Sequence, residues 1–211
     1  MVGGVKNLSR LFVDMDGTLA TFRKVSALEE LYEPGYFANL PPQKNVVNAA
    51  KLMICTAPTI EVFILSSVLF DSRYAMEEKN AWLDRYLPEL DEGHRIFLPC
   101  GERKSSYVPG KMRESDCLLD DYTKNLVDWS RAGGRGIKLL NGINHTRGSW
   151  SGKRIDLDHT PAELANALLE IAAGQQNEQP RRDMRSVDLE LHDMALANLQ
   201  RCTHPDSELE L

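Results

Sequence analysis

LFVDMDGTLA, residues 11–20, is an apolar run that stops at two aspartates, a glycine and a threonine. Such a run is the signature of a buried strand feeding a sharp turn, with Asp14, Asp16, Gly17 and Thr18 at its carboxyl end. Further along the chain the same pattern recurs. VFILSS (62–67) runs from apolar residues into Ser66 and Ser67, RIFLPC (95–100) is a third short strand, and DCLLDD (116–121) ends in Asp120 and Asp121. GIKLL (136–140) gives a fifth strand and RIDL (154–157) an edge strand.

Helical patterns fall between these strands. NVVNAAKLMIC (45–55) has helical spacing, and residues 74–86 carry Ala75, Met76, Trp82, Leu83 and Tyr86 on one face before Pro88 closes the helix. Residues 126–132 form a helix stopped by Gly133 and Gly134. Thr160-Pro161-Ala162-Glu163 reads as an N-cap, a proline at the first helical position and a capping-box glutamate. Strands alternating with helices predict an α/β fold with a parallel sheet flanked by helices. ALEELYEPGYFANLPP, within residues 20–42, carries aromatic residues between turn signals and is expected to be a small helical insert after strand one. Residues 1–174 then make one domain. Residues 175–211 add a polar linker and a helical tail, with amphipathic spacing over 187–199.

Composition excludes several functions. Acidic residues outnumber basic ones 31 to 25, for a formal charge of −6, which disfavours non-specific nucleic-acid binding. No apolar run approaches the roughly 18 residues that span a bilayer, and the N-terminus lacks a secretory signal. Cys55, Cys100, Cys117 and Cys202 show neither CxxC nor zinc spacing, and three of them sit in or beside apolar runs, which reads as buried thiols of a cytoplasmic protein.

Ligands of an open α/β sheet bind beyond the carboxyl ends of its strands. Asp14 and Asp16, Ser66 and Ser67, and Asp120 and Asp121 all stand at that edge. A carboxylate attacks a phosphate ester only where a cation screens their repulsion. Asp14 and one carboxylate of the Asp120/Asp121 pair suit Mg²⁺, a hard ion that prefers oxygen. Asp14 would then form an aspartyl-phosphate, with Asp16 placed to protonate the leaving oxygen and deprotonate the attacking water. Gly17 permits the turn and leaves room for phosphate. A serine hydroxyl from Ser66 or Ser67 and a lysine, Lys104 or Lys111, would meet the phosphoryl charge. The competing reading makes the aspartates turn-formers and the serines a helix start. The two acidic strand ends together argue against it. His145 lies in a loop and is set aside.

FVDMDGTLA, FILSS, a lysine and LLDDYTKN, in that order, resemble the haloacid dehalogenase superfamily of aspartate-nucleophile phosphotransferases over residues 8–145. DMDGTLATF, EPGYFANLPP and LLDDYTKN resemble its 5′(3′)-deoxyribonucleotidases, which carry a small helical cap. The resemblance implies a Rossmann-like fold, Asp14 as nucleophile and Asp16 as acid/base. It gives phosphate to Ser66, Ser67 and Lys104, the last favoured over Lys111 by its short distance from IFLP. Magnesium falls to Asp14, the Asp16 carbonyl and Asp121. Phe22, Tyr36 and Phe37 would stack on a base, and the substrate would be a nucleoside monophosphate. The alternatives are a phosphosugar phosphatase and a non-catalytic receiver-type module; a homodimer stays open.

Overall fold

The computed structural model describes residues 8–23, 25–143 and 150–174. Six strands form one wholly parallel sheet: β1 (Ser9–Val13), β2 (Ile60–Val68), β3 (Arg95–Pro99), β4 (Cys117–Asp120), β5 (Arg135–Leu140) and β6 (Lys153–Asp156). Their spatial order is β3-β2-β1-β4-β5-β6, so the chain reverses its direction of growth between β1 and β4. The helices α1 (Lys44–Thr56), α2 (Ala75–Tyr86), α3 (Thr123–Arg131) and α4 (Pro161–Ala172) connect or cover the strands. The α/β reading and the edge position of β6 are borne out. The expected tail helix over 187–199, Cys202 and His145 lie outside the described residues.

Successive strand residues point to opposite faces, and the two faces build two separate cores. Leu11, Val13, Val62, Ile64, Cys117, Leu119, Ile137 and Leu139 pack beneath α1, α2 and α4. Phe12, Phe63, Leu65 and Leu118 pack beneath α3, Val108 and Trp150. Phe12 stacks on Phe63 at 5.1 Å and meets Trp129 edge-on at 5.2 Å. Thr160 opens α4 as expected, accepting from the Glu163 amide at 3.3 Å while its own amide donates to the Glu163 carboxylate at 2.8 Å.

The insert after β1 differs from expectation. Among its described residues it contains one 3₁₀ turn, Leu28–Tyr32, and an isolated bridge between Ala20 and Pro42, the rest being turns and irregular backbone. The proline and glycine density of EPGYFANLPP explains this, because neither residue sustains a helix interior. Its ends are pinned together: the Thr21 amide donates to Pro41 O at 2.7 Å and the Gln43 amide to Leu19 O at 2.7 Å. Its middle is fastened to α2. The Glu78 carboxylate accepts from the Gly35, Phe37 and Ala38 amides, and Trp82 Nε1 donates to Leu40 O at 2.7 Å. Of the cysteines, Cys117 is buried, Cys55 half-buried and Cys100 exposed. Cys100 departs from the buried expectation because it follows β3 into the loop at the sheet edge, where its amide donates to Val68 O at 3.0 Å.

At the amino-terminal ends of β1 and β4, Arg10 grips Asp116 with two hydrogen bonds of 2.8 and 2.5 Å, both side chains fully shielded. Arg10 also donates to Pro109 O and Lys111 O, at 2.5 and 2.9 Å, tying the loop before β4 to β1. Removing one member of a buried pair strands the other charge, at about 3–5 kcal/mol. Arg10→Met should therefore lower the melting temperature by roughly 10 °C in calorimetry, given about 2–4 °C per kcal/mol for a chain of this size.

Candidate active site

The carboxyl ends of β1, β2 and β4 converge as the sheet topology requires. Val13 pairs with both Ile64 and Leu119, so the residues just beyond, Asp14 on β1 and Asp120 on β4, are neighbours. Both carry on the alternation of Phe12 and Leu118 and belong to the α3 side of the sheet. Lys104, in the 3₁₀ turn Lys104–Tyr107 on that same side, reaches between them. Its Nζ donates to Asp14 Oδ1 at 2.5 Å and to Asp120 Oδ2 at 2.7 Å. Lys111 is exposed, and Lys104 is the lysine at Asp14.

Asp14, Asp120 and Asp121 are buried, and one oxygen from each lies within 4.8 Å of the others. Lys104 is bonded to two of the three carboxylates, and the Lys138 ammonium lies close to Asp121 and Asp120 as well. Burial pushes the Asp14 carboxyl up to about 8; Lys104 opposes the rise, and Asp120, Asp16 and Asp121 add to it. Burial works against the charge of Lys104 too, yet Asp120 and Asp14 hold it protonated above the ordinary lysine range. An all-oxygen, anionic, tightly spaced donor set fits Mg²⁺. The sequence reading gave that ion Asp14, Asp121 and the Asp16 carbonyl; the clustered carboxylates are those of Asp14, Asp120 and Asp121.

Several contacts orient these acids. The Tyr122 amide and Asn125 Nδ2 donate to Asp120 at 2.7 and 2.9 Å. Asn141, one residue past β5, donates to Asp121 Oδ2 at 3.0 Å and to Gly17 O at 2.5 Å. Lys138 donates to the Asp121 carbonyl and, at 3.1 Å, to Thr123 Oγ1. Gly17 has φ +84°, and a Cβ there would stand 2.4 Å from Asp121 Oδ2. The room that Gly17 provides is thus occupied by Asp121 rather than reserved for phosphate.

Asp16 turns away from this cluster. Its Oδ2 accepts from Lys79 Nζ at 2.5 Å, while Oδ1 is buried without a hydrogen-bond partner. Ser66 and Ser67 part company because adjacent strand residues face opposite layers. Ser67 lines the cavity above Asp14. Ser66 is fully buried on the α2 side, where its Oγ accepts from Lys79 at 2.9 Å. Lys79 escaped the sequence reading, although it shares a helical stripe with Ala75, Trp82 and Leu83 in an otherwise apolar face.

The cavity holds about 390 Å³, with Asp14, Asp16, Ser67 and Asp121 among its lining. Phe22, Leu31, Phe37 and Leu69 give it an apolar side, and Lys124, Asn125 and Asp128 a polar one. Tyr36 is not part of its lining. It is buried behind Phe37, its ring edge-on at 5.0 Å and its hydroxyl donating to Arg23 O at 2.7 Å.

This is a haloacid dehalogenase-like fold. D,D-heptose 1,7-bisphosphate phosphatase from B. bronchiseptica, in complex with magnesium and phosphate, is similar over 78% of this chain and 99% of its own, with TM-score 0.51 and 13% identity. The enzyme of the same name from Burkholderia thailandensis is similar over 76% of this chain and 98% of its own, with TM-score 0.51 and 12% identity. No protein-family model matches the chain, and no curated protein does. Among the described residues no helix is long and apolar enough to cross a membrane.

Two outcomes follow from the geometry. A folded-state Asp14 value of about 8, above its ordinary 3.8, means the metal-free fold retains a proton that the unfolded chain releases. That contribution to stability is complete below about pH 4 and is lost as pH rises through about 8. Mg²⁺ should accordingly raise the melting temperature far more at pH 8 than at pH 5, and Asp14→Asn should flatten the difference; equal shifts at both pH values would contradict the site. Gly17→Ala must strain a left-handed residue and displace Asp121, so Mg²⁺ affinity by calorimetric titration should fall at least tenfold, about 1.4 kcal/mol.

Proposed function

We propose that this protein is a Mg²⁺-dependent phosphatase of small phosphate esters that works through an aspartyl-phosphate on Asp14. One observation carries the reading: a buried carboxylate, fixed on one oxygen by Lys104, lines the floor of a cavity beside two further buried carboxylates. With Oδ1 engaged by Lys104, Oδ2 is the nucleophilic oxygen. It forms a bond to phosphorus as the ester P–O bond breaks, and Asp16 gives its proton to the departing alkoxide. Water then attacks the acyl phosphate, Asp16 takes its proton, and the bond to Asp14 breaks to free inorganic phosphate. Bound Mg²⁺ would be held by Asp14, Asp120 and Asp121 and would screen the phosphoryl charge. Ser67 is the hydroxyl donor to the phosphoryl oxygens, and Lys104 orients Asp14.

Within this class we infer a 5′-nucleotidase acting on nucleoside monophosphates, with Phe22 and Phe37 flanking the base. Tyr36 supports Phe37 from behind. The polar side of the cavity, Lys124, Asn125 and Asp128, favours a second reading, a phosphosugar whose hydroxyls bind there. A receiver-type module has little use for Asp16 or for a roofed cavity, which speaks against that third class.

Purified protein should release phosphate from p-nitrophenyl phosphate with Mg²⁺ and lose that activity on chelation. Asp14→Asn should reduce turnover by at least about 10³-fold while remaining folded by circular dichroism. Phosphate bound without turnover would sink the enzyme reading. A panel of ribo- and deoxyribonucleoside monophosphates against sugar phosphates separates the substrates. Phe22→Ala should raise KM for the preferred nucleotide about tenfold, the worth of one stacking contact.

A further inference from the structure

Lys79 is a fully buried ammonium whose three donors are all engaged: Asp16 Oδ2 at 2.5 Å, Ser66 Oγ at 2.9 Å and Ser67 O at 2.7 Å. It enters from the layer opposite Lys104. We propose that Lys79 is a positioning residue that fixes the Asp16 carboxylate for proton transfer to the leaving group. The proposal rests on the phosphatase reading and adds a residue to it.

Three observations converge. First, the lysine holds one Asp16 oxygen while the other, Oδ1, is buried without a partner. A buried acceptor left open is unfavourable unless something completes it, and the departing alkoxide of a substrate, sharing a proton with that oxygen, does so. Second, Lys79 takes its remaining acceptors from β2, so the position of Asp16 is referred to the sheet itself rather than to the loop that carries it. Third, Nζ lies 4.9 Å from the centre of the Phe37 ring, and the preceding residue, Glu78, holds the insert backbone at Gly35, Phe37 and Ala38. Adjacent residues of α2 thus secure the wall of the cavity and the group that meets the leaving oxygen.

This arrangement gives Ser66 a job. Its hydroxyl is a fixed acceptor for Lys79, and the substrate-facing serine is Ser67.

Leaving-group dependence tests the proposal, because kcat/KM reports steps up to phosphoryl transfer. Expulsion of p-nitrophenolate needs no proton, whereas a primary alkoxide does. Lys79→Met should lower kcat/KM for a primary alkyl phosphate about a hundredfold more than for p-nitrophenyl phosphate, the range of a lost general acid. A uniform fall on both esters, or no fall, would overturn the proposal. Should the buried methionine prevent folding, Ser66→Ala provides the second reading: it removes one acceptor of Lys79, and a selective loss on the alkyl ester supports the proposal. Equal loss on both esters would place Ser66 on phosphate and refute it. Failure of the wild-type protein to hydrolyse either ester would dismiss the phosphatase reading itself, and the proposal with it.

Discussion

Three carboxylates buried within reach of one another at the ends of two adjacent strands would repel strongly in a low-dielectric interior. Lys104, bonded to Asp14 and Asp120 together, relieves part of that repulsion, and Lys138 lies close to Asp120 and Asp121. The surrounding contacts make sense as supports for this arrangement. Asn125, Asn141 and Lys138 each hold an aspartate or its backbone in place, and Gly17 yields space to Asp121. A fold that sought stability alone would not gather these charges; it would separate them, as it does at the far end of the same strands. There Asp116 meets Arg10 one to one, in a closed pair with no remaining charge to satisfy.

The alternation of the strands decides which lysine serves which acid. Asp14, Ser67 and Asp120 continue the side of the sheet covered by α3, and Lys104 comes from the same layer. Ser66 continues the other side, covered by α2, and Lys79 meets it there. Asp16, beyond the end of β1 and free of its alternation, turns toward the second lysine. Two cations from two layers therefore hold two aspartates that are only two residues apart in the chain. Each aspartate is held independently of the other.

Much of this was legible in the sequence because the signals were local. Apolar runs ending in acids or serines marked β1, β2 and β4 and the edge of the sheet where they meet, and Thr160-Pro161-Ala162-Glu163 marked a helix start that the structure reproduces. What escaped required contacts between distant segments. Lys79 stands on the buried stripe of its helix, where a charge signals a hidden partner, but the partners lie in the turn after β1 and on β2. Asn141 follows β5 at the same edge as the aspartates and was reachable by the same rule. The roles of Ser66 and Ser67 divide by a parity that is plain once the strand is drawn to Val68. Tyr36 was grouped with Phe37 by proximity, yet the turn sends one ring behind the other. The insert looked helical from its leucines and glutamates, and its prolines and glycine prevailed.

The fastening of that insert bears on how molecules come and go. Pinned at its neck by Thr21 and Gln43, and along its middle by Glu78 and Trp82, it behaves as masonry rather than as a shutter. The cavity it borders is lined also by Tyr122 and Cys100, from the loops after β4 and β3. Through Phe22, Leu31 and Phe37 the insert gives that cavity an apolar wall whose place is set by α2.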